Sequence, residues 1–123
     1  MKLLIADDSR LSRTALKDFF NGVSQIEISE AANGIEVLEE HRVFQPDVIF
    51  MDIAMPLLDG MAALKILSMI DKQVKVVVVS SIGDQQSVKD DCLRHGAFAV
   101  LSKPLTKEAV YQLLQKLREQ VKG

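Results

Sequence analysis

The chain has 123 residues, enough for one packed core and too few for a second sizeable domain. Apolar residues make up 48% and charged residues 26%, and a net charge of −2 speaks against nucleic-acid binding as the main activity. One cysteine, Cys92, excludes an internal disulfide and any multi-cysteine metal site, and no apolar run reaches membrane-spanning length.

The first apolar run, Leu3 to Ala6, follows Met1-Lys2 with no leader between them and ends in Asp7-Asp8-Ser9. A cytoplasmic location without membrane insertion is therefore expected. Ser9 is placed to cap a helix on which Leu11, Ala15 and Phe19 recur at helical spacing, with Leu16 and Phe20 beside them, until Asn21-Gly22. Ile26 and Ile28, with Ala31 beyond, alternate with polar residues and predict a strand near a sheet edge. Asn33-Gly34 opens a second helix carrying Ile35, Val37 and Leu38 inward, with Glu36, Glu39, Glu40 and Arg42 outward.

After Gln45-Pro46-Asp47, the apolar run Val48 to Met51 ends in Asp52, and Met55-Pro56 and Asp59-Gly60 then break the chain. An unalternating run bounded by turn signals predicts a strand buried on both faces, as in a parallel sheet. A third helix follows, marked by Met61, Leu64, Leu67 and Ile70. Val74 to Val79 is a strongly β-branched strand ending in Ser80-Ser81. Gly83 to Gln86 is polar, and a weaker helix with Val88 and Cys92 inward stops at His95-Gly96. A fifth strand, Ala97 to Leu101, ends in Ser102-Lys103-Pro104, and Thr106 caps a last helix with a Val110, Leu113, Leu114, Leu117 and Val121 stripe.

Strands alternating with helices predict one parallel sheet covered on both faces. All strand carboxyl ends then meet at one rim, which gathers Asp7, Asp8, Asp52, Ser80 and Lys103. Carboxylates crowded there need a cation, and magnesium suits a site of few carboxylates, waters and a phosphate. Lys103 is a point charge for phosphoryl oxygen and Ser80 a hydroxyl donor. The set fits phosphoryl transfer onto a carboxylate.

In Ala6-Asp7-Asp8-Ser9, Met51-Asp52-Ile53-Ala54-Met55-Pro56 with Asp59-Gly60, Val79-Ser80-Ser81 and Ser102-Lys103-Pro104, the whole chain, residues 1–123, resembles the receiver domain of two-component response regulators. In length it is similar to the single-domain chemotaxis type. The resemblance implies a flavodoxin-like (βα)5 fold, a five-stranded parallel sheet of order 2-1-3-4-5 with helices on both faces. It implies Asp52 as phosphoacceptor and Mg2+ held by Asp8, by the Ala54 backbone carbonyl, by Asp52 and, through water, by Asp7. Ser80 and Lys103 would hold the phosphoryl group, and Lys103-Pro104 would be cis. The implied partners are a sensor histidine kinase or phosphotransfer protein, and a target on the face of the fourth helix, fifth strand and last helix, exposing Lys107 and Tyr111. Direct nucleic-acid binding is not implied, and a monomer or weak dimer is expected. Such a chain signals rather than acting as an enzyme on other molecules.

Taken singly, these residues have plainer uses. Asp7-Asp8 could complement a helix dipole, Asp52 could cap, Ser80 could turn, and Lys103 could sit solvated. Their joint presence in order favours the phosphoacceptor reading. The glycine-rich loop of a nucleotide hydrolase is missing, and Ser9 stands where a haloacid dehalogenase-type phosphatase needs a second Asp. An excised receiver of a longer, for example DNA-binding, regulator and a phosphate-independent degenerate receiver remain alternatives to a complete single-domain protein. His41 is expected to pack, His95 to suit a helix carboxyl end, and Cys92 to be buried and inert.

The chain also departs from the family's pattern. Val100 stands at the switch position where Tyr or Phe is common, and Phe98, two residues away, is expected on the same face by alternation. Ala54 and Ile82 replace polar residues that meet the attacking water, so slow aspartyl-phosphate hydrolysis is expected. Leu105 follows Lys-Pro where Phe is frequent. With Val100 unable to fill space vacated by Ser80, coupling is expected to run mainly through the loop Ser81 to Asp84 and the first turn of the fourth helix.

Overall fold

The computed structural model describes residues 1–81 and 86–121. Ile82, Gly83, Asp84 and the end of the chain at Gly123 lie outside the described residues, as does most of the expected coupling loop. Strands β1 (Lys2–Ala6), β2 (Glu27–Ala31), β3 (Val48–Asp52), β4 (Lys75–Ser80) and β5 (Ala99–Ser102) alternate with helices α1 (Arg10–Phe19), α2 (Gly34–Phe44), α3 (Gly60–Ile70), α4 (Gln86–Arg94) and α5 (Lys107–Gln120). They form one five-stranded parallel sheet ordered β2-β1-β3-β4-β5, the flavodoxin-like order. Among the described residues, no helix is long and apolar enough to cross a membrane.

Side chains alternating along each strand divide the core into two layers. Leu4, Ala6, Ile49, Met51, Val76 and Val78 meet Val37 of α2, Leu64 and Leu67 of α3 and Cys92 of α4. Leu3, Ile5, Val48, Phe50, Val77 and Val79 meet Leu16 and Phe20 of α1 and Val110, Leu113, Leu114 and Leu117 of α5. The caps read from sequence are formed, with Ser9 accepting from the Ser12 amide and Thr106 from the Ala109 amide. Cys92 is fully buried, and burial pushes its thiol up.

Several expectations change. On α1 the inward pair is Leu16 and Phe20, one turn apart, which rotates Leu11 out to 81% exposure. Ile35 and Ile70 are also exposed, because each stands at a helix end beyond the reach of the sheet. β5 begins at Ala99, so Phe98 precedes the pleat and alternation does not apply to it. Phe98 packs with the α1/α5 layer beside Ala99 and Leu101, whereas Val100 packs with the layer of α2, α3 and α4. Tyr111 is half-buried, its hydroxyl donating to the Phe19 carbonyl at 2.6 Å. His41 has a partner as well as a packing place, with Nε2 lying 2.8 Å from Asp71 Oδ2.

Candidate acidic pocket at the sheet rim

Asp52 is the last residue of β3, a strand buried along its whole length. Val48, Ile49, Phe50 and Met51 are essentially unexposed, each stabilising the fold by about 1.5–3 kcal/mol. That total exceeds the several kcal/mol needed to desolvate one carboxylate, so apolar burial forces Asp52, at 7% exposure, into the rim. Its carboxylate is bonded on both oxygens. Oδ1 accepts the Ala54 amide at 3.0 Å, and Oδ2 takes the Lys103 ammonium at 3.2 Å. Gly60 closes the strand from below, its amide donating to the Ile53 carbonyl at 2.9 Å. A methyl group at Gly60 would stand 2.6 Å from the Asp52 carbonyl oxygen, which is too close for any other residue. Gly34 has the same function one layer out, where a methyl would collide with the Leu58 carbonyl.

Asp7 lies just past β1 and is 6% exposed. Its amide donates to the Ala31 carbonyl at 3.1 Å, Oδ1 accepts the Ser9 amide at 2.9 Å, and Oδ2 meets Lys103 Nζ at 2.9 Å. Asp8, the next residue, is exposed. Carboxylate oxygens of Asp7, Asp8 and Asp52 lie within 4.8 Å of one another. Lys103 reaches them from the end of β5, its backbone anchored through its amide to the Ser80 carbonyl at 2.9 Å, and the Lys103–Pro104 peptide is cis. Burial pushes the Lys103 ammonium down, but the hydrogen bonds it donates to Asp7 and Asp52, with their charges, outweigh it and raise the pKa. Ser80 is fully buried beside Ser102 in the β4–β5 register.

One ammonium against three carboxylates leaves two negative charges, all on oxygen donors. That set fits a hard divalent cation, and magnesium by size and donor type. On the α1 side, a cavity of about 440 Å³ opens onto the pocket between Leu16, Phe19, Pro104 and Leu105. The structure thus brings together Asp7, Asp8, Asp52 and Lys103, with Ser80 on the neighbouring strand end, while Val100 lies along β5 in the other layer.

Sequence reasoning missed Arg13, whose Nη1 donates to the Asp7 carbonyl at 2.6 Å while Nε pairs with Glu30 at 2.9 Å. A basic residue four positions after the Ser9 cap was the available signal.

A parallel 2-1-3-4-5 sheet with an acidic rim and an opposing lysine defines the class as a flavodoxin-like α/β domain with its pocket at the strand carboxyl ends. The family model for the response regulator receiver domain matches residues 3–115, and the chain belongs to that family. The chemotaxis protein CheY of Bacillus subtilis (strain 168) is 35% identical over 117 residues, covering 94% of this chain and 95% of that protein. The response regulator domain of Thermotoga maritima CheB superposes with TM-score 0.84 at 31% identity, covering 98% and 95% of the two chains. In the CheX-CheY-BeF3-Mg+2 complex from Borrelia burgdorferi, the matching chain gives TM-score 0.87 at 30% identity, with 95% and 88% covered.

Proposed function

We propose that residues 1–123 form one receiver domain whose Asp52 accepts a phosphoryl group from a histidine kinase or phosphotransfer protein, or from a small acyl phosphate. The observation that carries this reading is the Asp52 carboxylate, buried at a strand end, held by Ala54 and Lys103, and crowded by Asp7 and Asp8. A CheY relative of similar length and a CheY structure carrying beryllofluoride and magnesium support it.

Asp7, Asp8, Asp52 and the Ala54 backbone carbonyl would hold Mg2+. When bound, the metal neutralises phosphoryl charge and helps orient the group for in-line transfer. Asp52 supplies the nucleophile. Its carboxylate oxygen forms a bond to phosphorus as the P–N or P–O bond of the donor breaks, and the departing atom keeps the electron pair. The Ala54 amide holds one carboxylate oxygen in place while the other reacts. Lys103, already at the carboxylate, follows the charge onto the phosphoryl oxygens, and Ser80 donates its hydroxyl there. Ala54 has no side-chain polar group to position water, so hydrolysis of the acyl phosphate is slow. The output is a changed surface on α4, β5 and α5 that a target protein reads, with the chain working in the cytoplasm as a signal carrier and not as an enzyme.

The test is phosphorylation by acetyl phosphate with magnesium, read by intact mass and by peptide mapping. Wild type should gain one phosphoryl group on the peptide carrying Asp52, and Asp52→Asn should gain none. Label on any other residue of the wild type would refute the assignment.

A further inference from the structure

Asp8 is the one acid of the pocket whose carboxylate has no hydrogen bond or ion pair among the described residues, and it is exposed. Its position therefore follows from the backbone that carries it. The Asp7–Asp8 peptide lies beyond the last ladder pair of β1 and β2, which is Ala6 with Ala31. The Asp7 amide is still bonded to the Ala31 carbonyl at 3.1 Å, but its carbonyl has passed the end of the sheet. Arg13 supplies that missing partner, donating from Nη1 at 2.6 Å. Its side chain is only 15% exposed and crosses from α1 toward β2, where Nε bonds Glu30 Oε1 at 2.9 Å. Glu30 is in turn steadied by Lys17 Nζ on its second oxygen at 3.0 Å.

A guanidinium is a rigid plane, so acceptors on Nε and Nη1 fix its orientation. That orientation then sets the tilt of the Asp7–Asp8 peptide, on which the Asp8 Cα and carboxylate depend. We propose that Arg13, oriented by Glu30, is the positioning residue that sets Asp8 for the divalent cation. This rests on the reading of the acidic pocket as the magnesium site. Glu30 on the edge strand β2 thereby acts on the pocket without bonding any of its carboxylates. A lysine could supply the charge at this place but not the fork.

Charge and geometry predict opposite results. Arg13 brings a positive charge near the pocket, so if it acted by charge alone its removal would tighten cation binding. As a positioning residue, its loss must weaken binding. Magnesium demands near-ideal octahedral geometry, whereas calcium accepts irregular sites, so misplacing Asp8 must harm magnesium more. Outer groups that orient ligands typically change metal affinity by about 10–100-fold.

The experiment is calorimetric titration of the full chain with Mg2+ and, separately, Ca2+, for wild type, Arg13→Lys, Arg13→Gln, Glu30→Gln and Asp8→Asn. Urea unfolding without metal confirms that each variant is folded. Arg13→Lys and Arg13→Gln should each raise the Mg2+ Kd roughly 10-fold, with a clearly smaller change for Ca2+. Glu30→Gln should give the same selective loss in weaker form. Unchanged or tighter Mg2+ binding in Arg13→Lys, or equal losses for both ions, would overturn the positioning role. Asp8→Asn serves to separate the two readings, because if it binds Mg2+ like wild type the acidic pocket is not the magnesium site.

Discussion

Lys103 carries two interactions that compete at the scale of the single residue. It neutralises a buried pair of carboxylates, and it stands where a metal or phosphoryl group would otherwise meet those acids alone. Its ammonium touches Asp7 and Asp52 at 2.9 and 3.2 Å and is itself about a quarter exposed. Breaking a buried ion pair costs about 3–5 kcal/mol, and the solvent reaching Lys103 reduces that to roughly 1–3 kcal/mol. Lys103→Met should therefore unfold at lower urea concentration in the absence of divalent ions. Magnesium should then restore more stability to Lys103→Met than to wild type, because the two acids have lost their internal cation. Thermal melts with and without Mg2+ read both effects, and equal magnesium shifts in the two proteins would show that Lys103 does not offset those charges. The pH dependence has a definite sign. The folded-state pKa of Lys103 is raised, so its contribution is complete below the unfolded value near ~10.4 and fades as pH rises through the folded value. Wild type should thus lose its advantage over Lys103→Met only in strong alkali.

Between elements, the fold is joined by side chains that bridge distant helices. Asp71 ends α3, takes the Gln73 and Val74 amides on Oδ1, and holds His41 of α2 on Oδ2. Burial pushes its carboxyl up, but the His41 bond and the two backbone amides outweigh this and lower the pKa. A carboxylate with a lowered folded-state pKa adds stability above its unfolded value near ~3.9, and that stability is lost as pH falls through the folded value. Asp71→Asn keeps an acceptor for the amides but loses the charge. Its cost should be about 1 kcal/mol at neutral pH, shrinking toward zero in acid. Urea unfolding of both proteins from pH 7 to pH 2 measures this, and a difference that does not change with pH would remove the charged pair as its cause. The Tyr111 hydroxyl on the Phe19 carbonyl ties α5 to α1 in the same way.

Across the whole molecule, the rim chemistry and the proposed output face sit on adjacent parts of one sheet. Ser80 ends β4, and the chain then passes to α4, whose only fully buried apolar side chain is Cys92. Little apolar burial anchors α4, so its local opening should cost less than that of α3, which buries Ala63, Leu64 and Leu67. Binding of beryllofluoride and magnesium should change amide exchange most in α4 and β5 and least in α3. Mass-spectrometric hydrogen exchange tests this, and changes confined to α1 and α2 would place the output elsewhere. Val100 packs with the α2, α3 and α4 layer and Phe98 with the opposite one, so no aromatic ring on β5 is available to follow Ser80 inward. Under the proposed switch, coupling would run through backbone and α4.

Much of this was legible in the chain because the determinants are local. The unalternating run from Val48 to Asp52 marks a strand buried on both faces, and turn signals after each strand place Asp7, Asp8, Asp52, Ser80 and Lys103 at one rim. Periodicity together with cap and turn residues also located the five helices and the Ser9 and Thr106 caps. Only the tertiary structure decided how far each helix is rotated on the sheet, and so that Leu16 and Phe20 are buried while Leu11 is not. It also decided that β5 starts one residue after Phe98, which sends that ring to the other layer. The bonds of Arg13 to Asp7 and Glu30, of His41 to Asp71 and of Tyr111 to Phe19 follow the same rule. Each joins residues from separate elements, and their partners are chosen by the angle and distance at which packed layers meet, which no repeat of apolar residues along one segment encodes.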